Sequence, residues 1–363
     1  MTTKHRSHQH DHHNDDHHHH DDGLIGRITS LFSLHNHSHD HRELAADQAF
    51  RENEEGIRTI WLALAILLFT AVAQMLIDYF SGSVSLFADT AHNIGDGLNS
   101  IPLLIAFYLA RRIPTRRYTY GFGRAEDVAG ILIVISIAIS AVIVFYQAFQ
   151  RLINPQPLSY LGWEAAAALV GFVGNEVVAI LQIKKGRKIG SAAMVADGMH
   201  ARTDGLTSLA VLVAAAGSWL GYPIVDPIIG LLIGVAILFI TWDAMKTIGY
   251  RLMDAVDPEL IDRAEAVIGE NERVLDINRL RMRWVGHCLH AEVYISVCAN
   301  LKIDESHEIA EQVRHALFHE LEALREITVH IDPWSEEIGT QHKLTSGHEP
   351  VSYTHLTLPT IQL

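Results

Sequence analysis

The chain has 363 residues, of which 49% are hydrophobic and 19% are charged, and its formal net charge is −14. This length allows one membrane domain and one small soluble domain. The charge is concentrated at acidic ends, which excludes nucleic-acid binding because that function needs clustered lysine and arginine. The two cysteines, Cys288 and Cys298, form neither a disulfide framework nor a CxxC motif, so we expect a reducing environment around them.

The N-terminal segment is rich in histidine and aspartate. Thirteen of the 24 histidines lie within residues 5–41. Such a tract has too few apolar residues to fold by itself, but it binds metal ions loosely. We therefore predict that residues 1–50 are disordered and gather metal. A purification tag is the competing interpretation, although the run is longer and less regular than a tag.

Long apolar runs follow and predict a transmembrane domain over residues 55–250. A membrane-spanning helix needs about 20 predominantly apolar residues. Six segments meet this requirement: 58–80, 85–110, 127–150, 161–183, 192–220 and 225–249. The second and fifth segments differ from the others because they carry aspartate and histidine in their first halves.

The charges of the loops predict the orientation of these spans. The loop between spans two and three holds five arginines, and the loop between spans four and five holds three lysines and one arginine. Cytoplasmic loops are enriched in lysine and arginine, so both basic loops are predicted to be cytoplasmic. With six spans, both termini then lie in the cytoplasm of a multi-pass protein of the cell membrane, either plasma or inner membrane.

Residues 253–335 are predicted to form a small cytoplasmic α+β domain of the ferredoxin-like type. The periodicity predicts helices over 258–270 and 304–323 and strands over 274–284, 288–298 and 326–331. A domain of this size buries little core, so an oligomer interface would help to stabilise it. The tail 336–363 lacks periodicity and is predicted to be unstructured. Its last part, 351–363, does not fit what precedes it, and we interpret it as a non-native adapter sequence.

One polar motif occurs twice, as ADTAHNIGDGLNS at 88–100 and as ADGMHARTDGLTS at 196–208, with seven of 13 positions identical. Histidine and aspartate at positions i and i+4 lie on one face of a helix. Two such helices that face each other offer four metal ligands: His92, Asp96, His200 and Asp204. Two imidazole nitrogens and two carboxylate oxygens suit a tetrahedral Zn²⁺ ion, and the lack of thiolates favours labile binding.

Other roles for these polar residues compete with metal binding. Hydrogen bonds that merely join helices are one alternative, but burying an ionisable group in hydrocarbon costs about 2.5–3.5 kcal/mol, which disfavours placing four there. Asp89 and Asp197 lie three residues before each histidine. We expect them to orient the imidazoles, cap helices or line the ion path, with direct ligation as the alternative. Cd²⁺, Co²⁺ and Ni²⁺ fit the same donors as Zn²⁺.

The motifs around these ligands resemble those of the cation diffusion facilitator family of zinc transporters. They are SVSLFADTAH at 83–92, YGFGRAED at 120–127, VADGMHARTDGLTSLAV at 195–211, VDPIIGLLIG at 225–234 and HIDP at 330–333. The resemblance covers about 55–335. It implies a homodimer in the lipid bilayer, a six-helix membrane domain, a cytoplasmic α+β domain and proton-coupled export of the metal. Proton coupling is also physically reasonable, because histidine titrates near neutral pH and loses its proton to bind metal.

The chain departs from the family pattern in two places. Some members bind a second metal in the loop between spans two and three, where this chain has Thr115, Tyr118 and Phe122, so no metal site is predicted there. Some members also hold a two-metal cluster in the C-terminal domain. The corresponding positions here are Asn278, Tyr294, His307, His330 and Asp332.

Two histidines expected in that C-terminal cluster are thus replaced by asparagine and tyrosine. A regulatory metal site formed by His307, His330 and Asp332 is one interpretation. A domain that dimerises without a full metal cluster is the other.

The sequence therefore predicts efflux of a divalent cation, in the first place Zn²⁺, from the cytoplasm by proton antiport. Two other classes compete with this prediction. An intramembrane zinc metallo-hydrolase would need an open coordination position and a general base such as that of HExxH, a motif the sequence lacks. A membrane metal sensor would signal through the C-terminal domain, yet no catalytic or DNA-binding module follows that domain.

Overall fold

The computed structural model describes residues 41–81, 97–153, 161–222 and 224–334. The first six helices within these residues are α1 (His41–Ser81), α2 (Ser100–Ala110), α3 (Arg124–Ile153), α4 (Leu161–Ile189), α5 (Ala192–Trp219) and α6 (Val225–Leu252). The elements that follow are α7 (Pro258–Gly269), β1 (Asp276–Val285), β2 (Cys288–Val297), α8 (Ile303–Glu320) and β3 (Leu324–Pro333). A helical bundle followed by a small α+β domain confirms the predicted fold class.

Several predicted features lie outside the described residues. They are Asp89, His92 and Asp96 of the first motif, most of the segment 1–50, and the tail 336–363. Helix α1 begins at His41, within the segment predicted to be disordered.

In the described part of the chain, four helices are long and apolar enough to cross a bilayer. They are Phe50–Ile77, Arg124–Gln150, Leu161–Ile189 and Val225–Leu252. The described part of the second predicted span, residues 97–110, ends in the 11-residue apolar helix α2. Helix α5 has 28 residues, but its first half carries the polar motif, which lowers its mean hydropathy.

The outer surface of the bundle is apolar, as a bilayer requires. Large side chains such as Phe69, Val142 and Phe239 are more than 60% exposed. So many exposed large apolar side chains on one bundle are rare in soluble proteins and indicate contact with lipid. Trp219 and Tyr222 are exposed at the end of α5 that lies away from the C-terminal domain, where aromatic residues suit the membrane–water interface.

The interior of the bundle holds fully buried apolar side chains from α1, α2 and α3, among them Ile60, Phe107 and Ile133. Helix α5 packs closely on α4 because Gly198 has no side chain. A Cβ atom on Gly198 would lie 2.8 Å from Cγ1 of Ile183. Small residues permit this close approach between membrane helices.

The C-terminal domain has a three-stranded sheet in the order β1-β2-β3. Strand β1 pairs with β2 in antiparallel fashion, and β2 pairs with β3 in parallel, which requires a crossover through α8. The register places Met282 opposite Ala291 and Trp284 opposite Leu289, so the apolar sets of β1 and β2 cover the same face. Helices α7 and α8 bury that face in one core.

The turn between β1 and β2 inserts into one end of the helical bundle. Gly286 has a φ of 63°, a conformation that favours glycine. The next residue, His287, is buried, and its Nδ1 lies 2.7 Å from Oε2 of Glu126 at the start of α3. Its ring stacks on Phe107 of α2, with centroids 5.6 Å apart. Arg251 of α6 donates a 2.9 Å hydrogen bond to the Gly286 carbonyl.

Two further ion pairs hold the domain against the bundle. Arg124 of α3 donates to Asp254, 2.5 Å away in the connection between α6 and α7. Arg325 of β3 pairs with Glu52 of α1. The C-terminal domain therefore touches the same end of the bundle as the two basic loops.

Candidate metal-binding site in the helical bundle

Three residues of the second motif lie in the first half of α5. Ser191 caps this helix by accepting a hydrogen bond from the backbone N–H of Met194. Asp197 and His200 are buried, and Asp204 is partly buried. The spacing of His200 and Asp204 puts them on one face, where Nε2 of the histidine lies 3.9 Å from Oδ2 of the aspartate.

This separation suits a shared metal ion. Zinc lies about 2.0–2.1 Å from an imidazole nitrogen and about 2.0–2.2 Å from a carboxylate oxygen. A tetrahedral ion bound to both atoms would need them about 3.4 Å apart, so the two side chains would have to move about 0.5 Å closer together. His92 and Asp96, the other two predicted ligands, belong to the undescribed part of span two.

His200 also meets an amide from span two. Nδ2 of Asn99 lies 2.8 Å from Nε2 of His200 and donates a 2.8 Å hydrogen bond to Ser136 of α3. Asn99 thus contacts Nε2, the same ring nitrogen that faces Asp204. A metal ion bound to Nε2 would displace the Asn99 amide. The other ring nitrogen, Nδ1, is buried and has no hydrogen-bond partner among the described residues.

Asp197 takes its hydrogen bonds from two other helices. Its Oδ2 accepts from the Ser100 hydroxyl at 2.6 Å and from Nε2 of Gln182 in α4 at 2.5 Å. All three side chains are buried. The expectation that Asp197 orients an imidazole stays a prediction. The bonds found here join α2, α4 and α5 one helical turn from His200.

A small cavity lies at the centre of these residues, with a volume of about 20 Å³. This volume is enough for about one water molecule. Polar side chains from four helices line it: Thr70, Gln74, Ser100, Asn175, Gln182, Asp197, His200 and Asp204. Such a concentration of polar groups between apolar helices suits a small hydrophilic ligand.

The remaining charged residue in the first half of α5 is Arg202, and its ion-pair partner lies outside this cavity. Arg202 forms a 2.7 Å ion pair with Glu176 of α4. The arginine is therefore engaged away from Asp197 and Asp204, so the cavity has an acidic character that favours cations.

The predicted C-terminal ligands lie in two places. His330 Nε2 is 3.1 Å from Oδ1 of Asp332 on β3, and Asn278 donates a 2.9 Å hydrogen bond to the same carboxylate. His307 is exposed on α8. No group of three potential metal ligands forms within the residues that the structure describes. A regulatory metal site here stays a prediction.

Sequence reasoning did not single out three residues that touch the site: Asn99, Ser100 and Gln182. A signal existed for Ser100, which is one of the seven identical positions of the two motifs. Gln182 is a lone amide in an otherwise apolar part of span four, which is a weaker signal. Asn99 has no counterpart of its type in the second motif, where threonine stands instead.

Comparison with known families agrees with this architecture. A family model described as the cation efflux transmembrane domain matches residues 60–253. A second model, described as the cytoplasmic domain of cation efflux proteins, matches residues 256–334. The boundary between the two matches falls in the connection between α6 and α7.

Related proteins match over most of their length. A probable cation efflux system protein of Mycobacterium tuberculosis strain H37Rv is 46% identical over 311 residues, which cover 86% of this chain and 93% of the relative. The manganese efflux system protein MneP of Bacillus subtilis is 28% identical, covering 79% and 99%. Magnetosome protein MamB of Paramagnetospirillum magneticum is 27% identical, covering 76% and 93%.

Proposed function

This chain belongs to the cation diffusion facilitator family, and from that premise we propose that it exports Zn²⁺ in exchange for protons. Its family membership makes it a multi-pass cation efflux transporter and not an enzyme, so the hydrolase alternative is wrong. The observation that carries the metal proposal is the convergence of His200 and Asp204 beside a polar cavity between apolar helices.

The helix register supports a four-ligand site. Helix α2 runs towards the C-terminal domain and α5 runs away from it, and the two meet where Ser100 bonds Asp197. Counting eight and four residues back from Ser100 reaches the first pair of proposed ligands, His92 and Asp96. Counting seven and three residues forward from Asp197 reaches the second pair, Asp204 and His200. The helix that the sequence predicts for span two would bring the four proposed ligands to nearly the same level.

The donor set favours zinc among the candidate ions. Imidazole nitrogen suits Zn²⁺, whereas Mn²⁺ and Mg²⁺ prefer oxygen ligands. Manganese is nevertheless the competing cargo, since one relative is named a manganese efflux protein. Cd²⁺, Co²⁺ and Ni²⁺ fit the same two-nitrogen, two-oxygen set.

Proton exchange follows from the chemistry of the proposed ligands. His200 binds a metal ion only when the coordinating nitrogen carries no proton. Imidazole gains and loses protons near neutral pH, so protons and metal compete for the same site. Alternate exposure of the site to the two sides of the membrane would then couple metal efflux to proton uptake.

We further propose that the transporter works as a homodimer in the cell membrane with its C-terminal domain in the cytoplasm. The basic loops that precede α3 and α5 lie on the same side of the bundle as this domain, which supports that orientation. The metal-sensor alternative has no observation in its favour.

The test is zinc flux into proteoliposomes under an imposed pH gradient. Asp204→Asn keeps the shape of the side chain but removes the carboxylate, and we expect flux to fall at least about 100-fold. Asp243→Asn is the matched control, because Asp243 is exposed on α6 and outside the cavity. Wild-type flux in Asp204→Asn would contradict the site. Preferred flux of Mn²⁺ would replace zinc as the cargo.

A further inference from the structure

A buried polar layer separates the proposed metal site from the C-terminal domain. It consists of Ser100, Gln182 and Asp197, which are 3%, 0% and 2% exposed. Both donors bond the same oxygen, Oδ2 of Asp197. Hydrogen bonds to a carboxylate are stronger than those between neutral groups, so this layer holds α2, α4 and α5 together firmly.

The position of this layer follows from the direction of α5. That helix begins beside the turn between β1 and β2, where a Cβ atom on Gly190 would lie 3.5 Å from the His287 carbonyl oxygen. Asp197 comes next along the helix, and His200 follows one turn later. An ion that moves between the domain side and His200 must therefore pass the level of Asp197. At that level the three buried side chains are joined by hydrogen bonds across α2, α4 and α5 in this structure.

The internal repeat indicates that the layer is more than local packing. Gln182 and Ser208 follow Gln74 and Ser100 by 108 positions each, the same offset that relates the two motifs. Gln74 and Ser208 also lie together, since a Cβ atom on Gly171 would be 2.7 Å and 2.9 Å from their side-chain atoms. Ser208 is one turn beyond Asp204, on the side of the site away from the domain. Glutamine and serine therefore recur on both sides of the proposed ligands.

We propose that Ser100, Gln182 and Asp197 form a gate that closes the transport site on the side of the C-terminal domain. The gate opens when α2 and α4 move away from Asp197 and break its two hydrogen bonds. The freed carboxylate then faces the passing cation. This inference rests on the proposed transport function, but its closed state is tested without any flux.

The test measures access to the cavity with a thiol reporter. Ala201 lines the cavity and is no proposed ligand, so Ala201→Cys places a reporter beside the site. The two native cysteines, Cys288 and Cys298, are first replaced by serine. A membrane-impermeant maleimide is then applied to vesicles whose C-terminal domains face outwards. We expect slow labelling in this background and about tenfold faster labelling when Gln182→Ala removes one hydrogen bond to the carboxylate.

Gln74→Ala is the matched control, because it removes the repeat-related amide on the far side of the site. Labelling from the domain side should stay slow in this variant. Ser100→Ala should accelerate labelling as Gln182→Ala does, whereas Ser100→Thr keeps the hydroxyl and should restore slow labelling. Thermal unfolding midpoints identify any variant that fails to fold, and the Ser100 pair then decides in place of Gln182→Ala.

Two results would overturn the gate. One is unchanged labelling in both Gln182→Ala and Ser100→Ala. The other is equal acceleration in Gln74→Ala, which would indicate general loosening of the bundle. A wild-type protein that transports no metal ion would contradict the proposed function instead. The flux assay detects that outcome independently of the labelling experiment.

Discussion

The buried pair between Glu126 and His287 is expected to dominate the docking of the C-terminal domain. The two side chains are 2% and 3% exposed, and their charged atoms lie 2.7 Å apart. Removing one partner of such a pair leaves a buried charge without compensation, which costs about 3–5 kcal/mol. We therefore expect His287→Gln to lower the free energy of unfolding by about that amount.

His290 supplies the control in the same hairpin. It pairs with Glu326 at 3.2 Å, but that glutamate is 64% exposed. A solvent-exposed pair contributes about 0–1 kcal/mol, so His290→Gln should be nearly neutral. The measurement is the shift of the unfolding midpoint in detergent for both variants, checked by limited proteolysis between α6 and α7.

A double variant separates the pair from the packing around it. Glu126→Gln with His287→Gln leaves no buried charge at this position, so it should be more stable than His287→Gln alone. Equal midpoints for His287→Gln and His290→Gln would refute the argument. So would a double variant whose loss equals the sum of the two single losses, because that would mean the residues do not interact.

Two further predictions concern the same turn. Burial acts to lower the pKa of His287, but Glu126 offsets this and raises the pKa well above its ordinary value. The stabilisation that protonated His287 provides is therefore fully present below about pH 6.5, the pKa of the unfolded state, and is lost as the pH rises through the folded-state pKa. The unfolding midpoint of the wild type should fall over that pH range, whereas the midpoint of His287→Gln should not. Gly286→Ala should destabilise by about 1–3 kcal/mol, since its φ is positive and a Cβ would lie 2.8 Å from the Gly123 carbonyl oxygen. Gly269→Ala, at a position with open space around it, should not destabilise, as measured by the same midpoints.

Local patterns in the sequence were sufficient to predict the elements of the C-terminal domain. Alternation predicted strands over 274–284 and 288–298, and the structure has Asp276–Val285 and Cys288–Val297. The last strand extends further than the predicted 326–331, from Leu324 to Pro333. The added residues join the sheet through backbone bonds with β2, which no alternation of side chains records.

The contacts that join distant parts of the chain could not be predicted in this way. His287 lies 161 residues from Glu126, and Asn99 lies 101 residues from His200. Neither pair produces a local periodicity, because each depends on how helices that are separate in sequence pack together. The sequence located the candidate ligands, but only the structure identifies the side chains that hold them.

The length of the repeated motif now has a physical explanation. Metal ligation by itself requires only HxxxD, which spans five residues. The seven identical positions of the two copies are nevertheless spread over 13 residues. In an antiparallel pair of helices, residues before the histidine in one copy lie level with residues after the aspartate in the other. The bond between Asp197 of the second copy and Ser100 of the first is an instance of this pairing. Bonds of this kind use residues at both ends of the motif, so each copy needs polar residues beyond the two proposed ligands themselves.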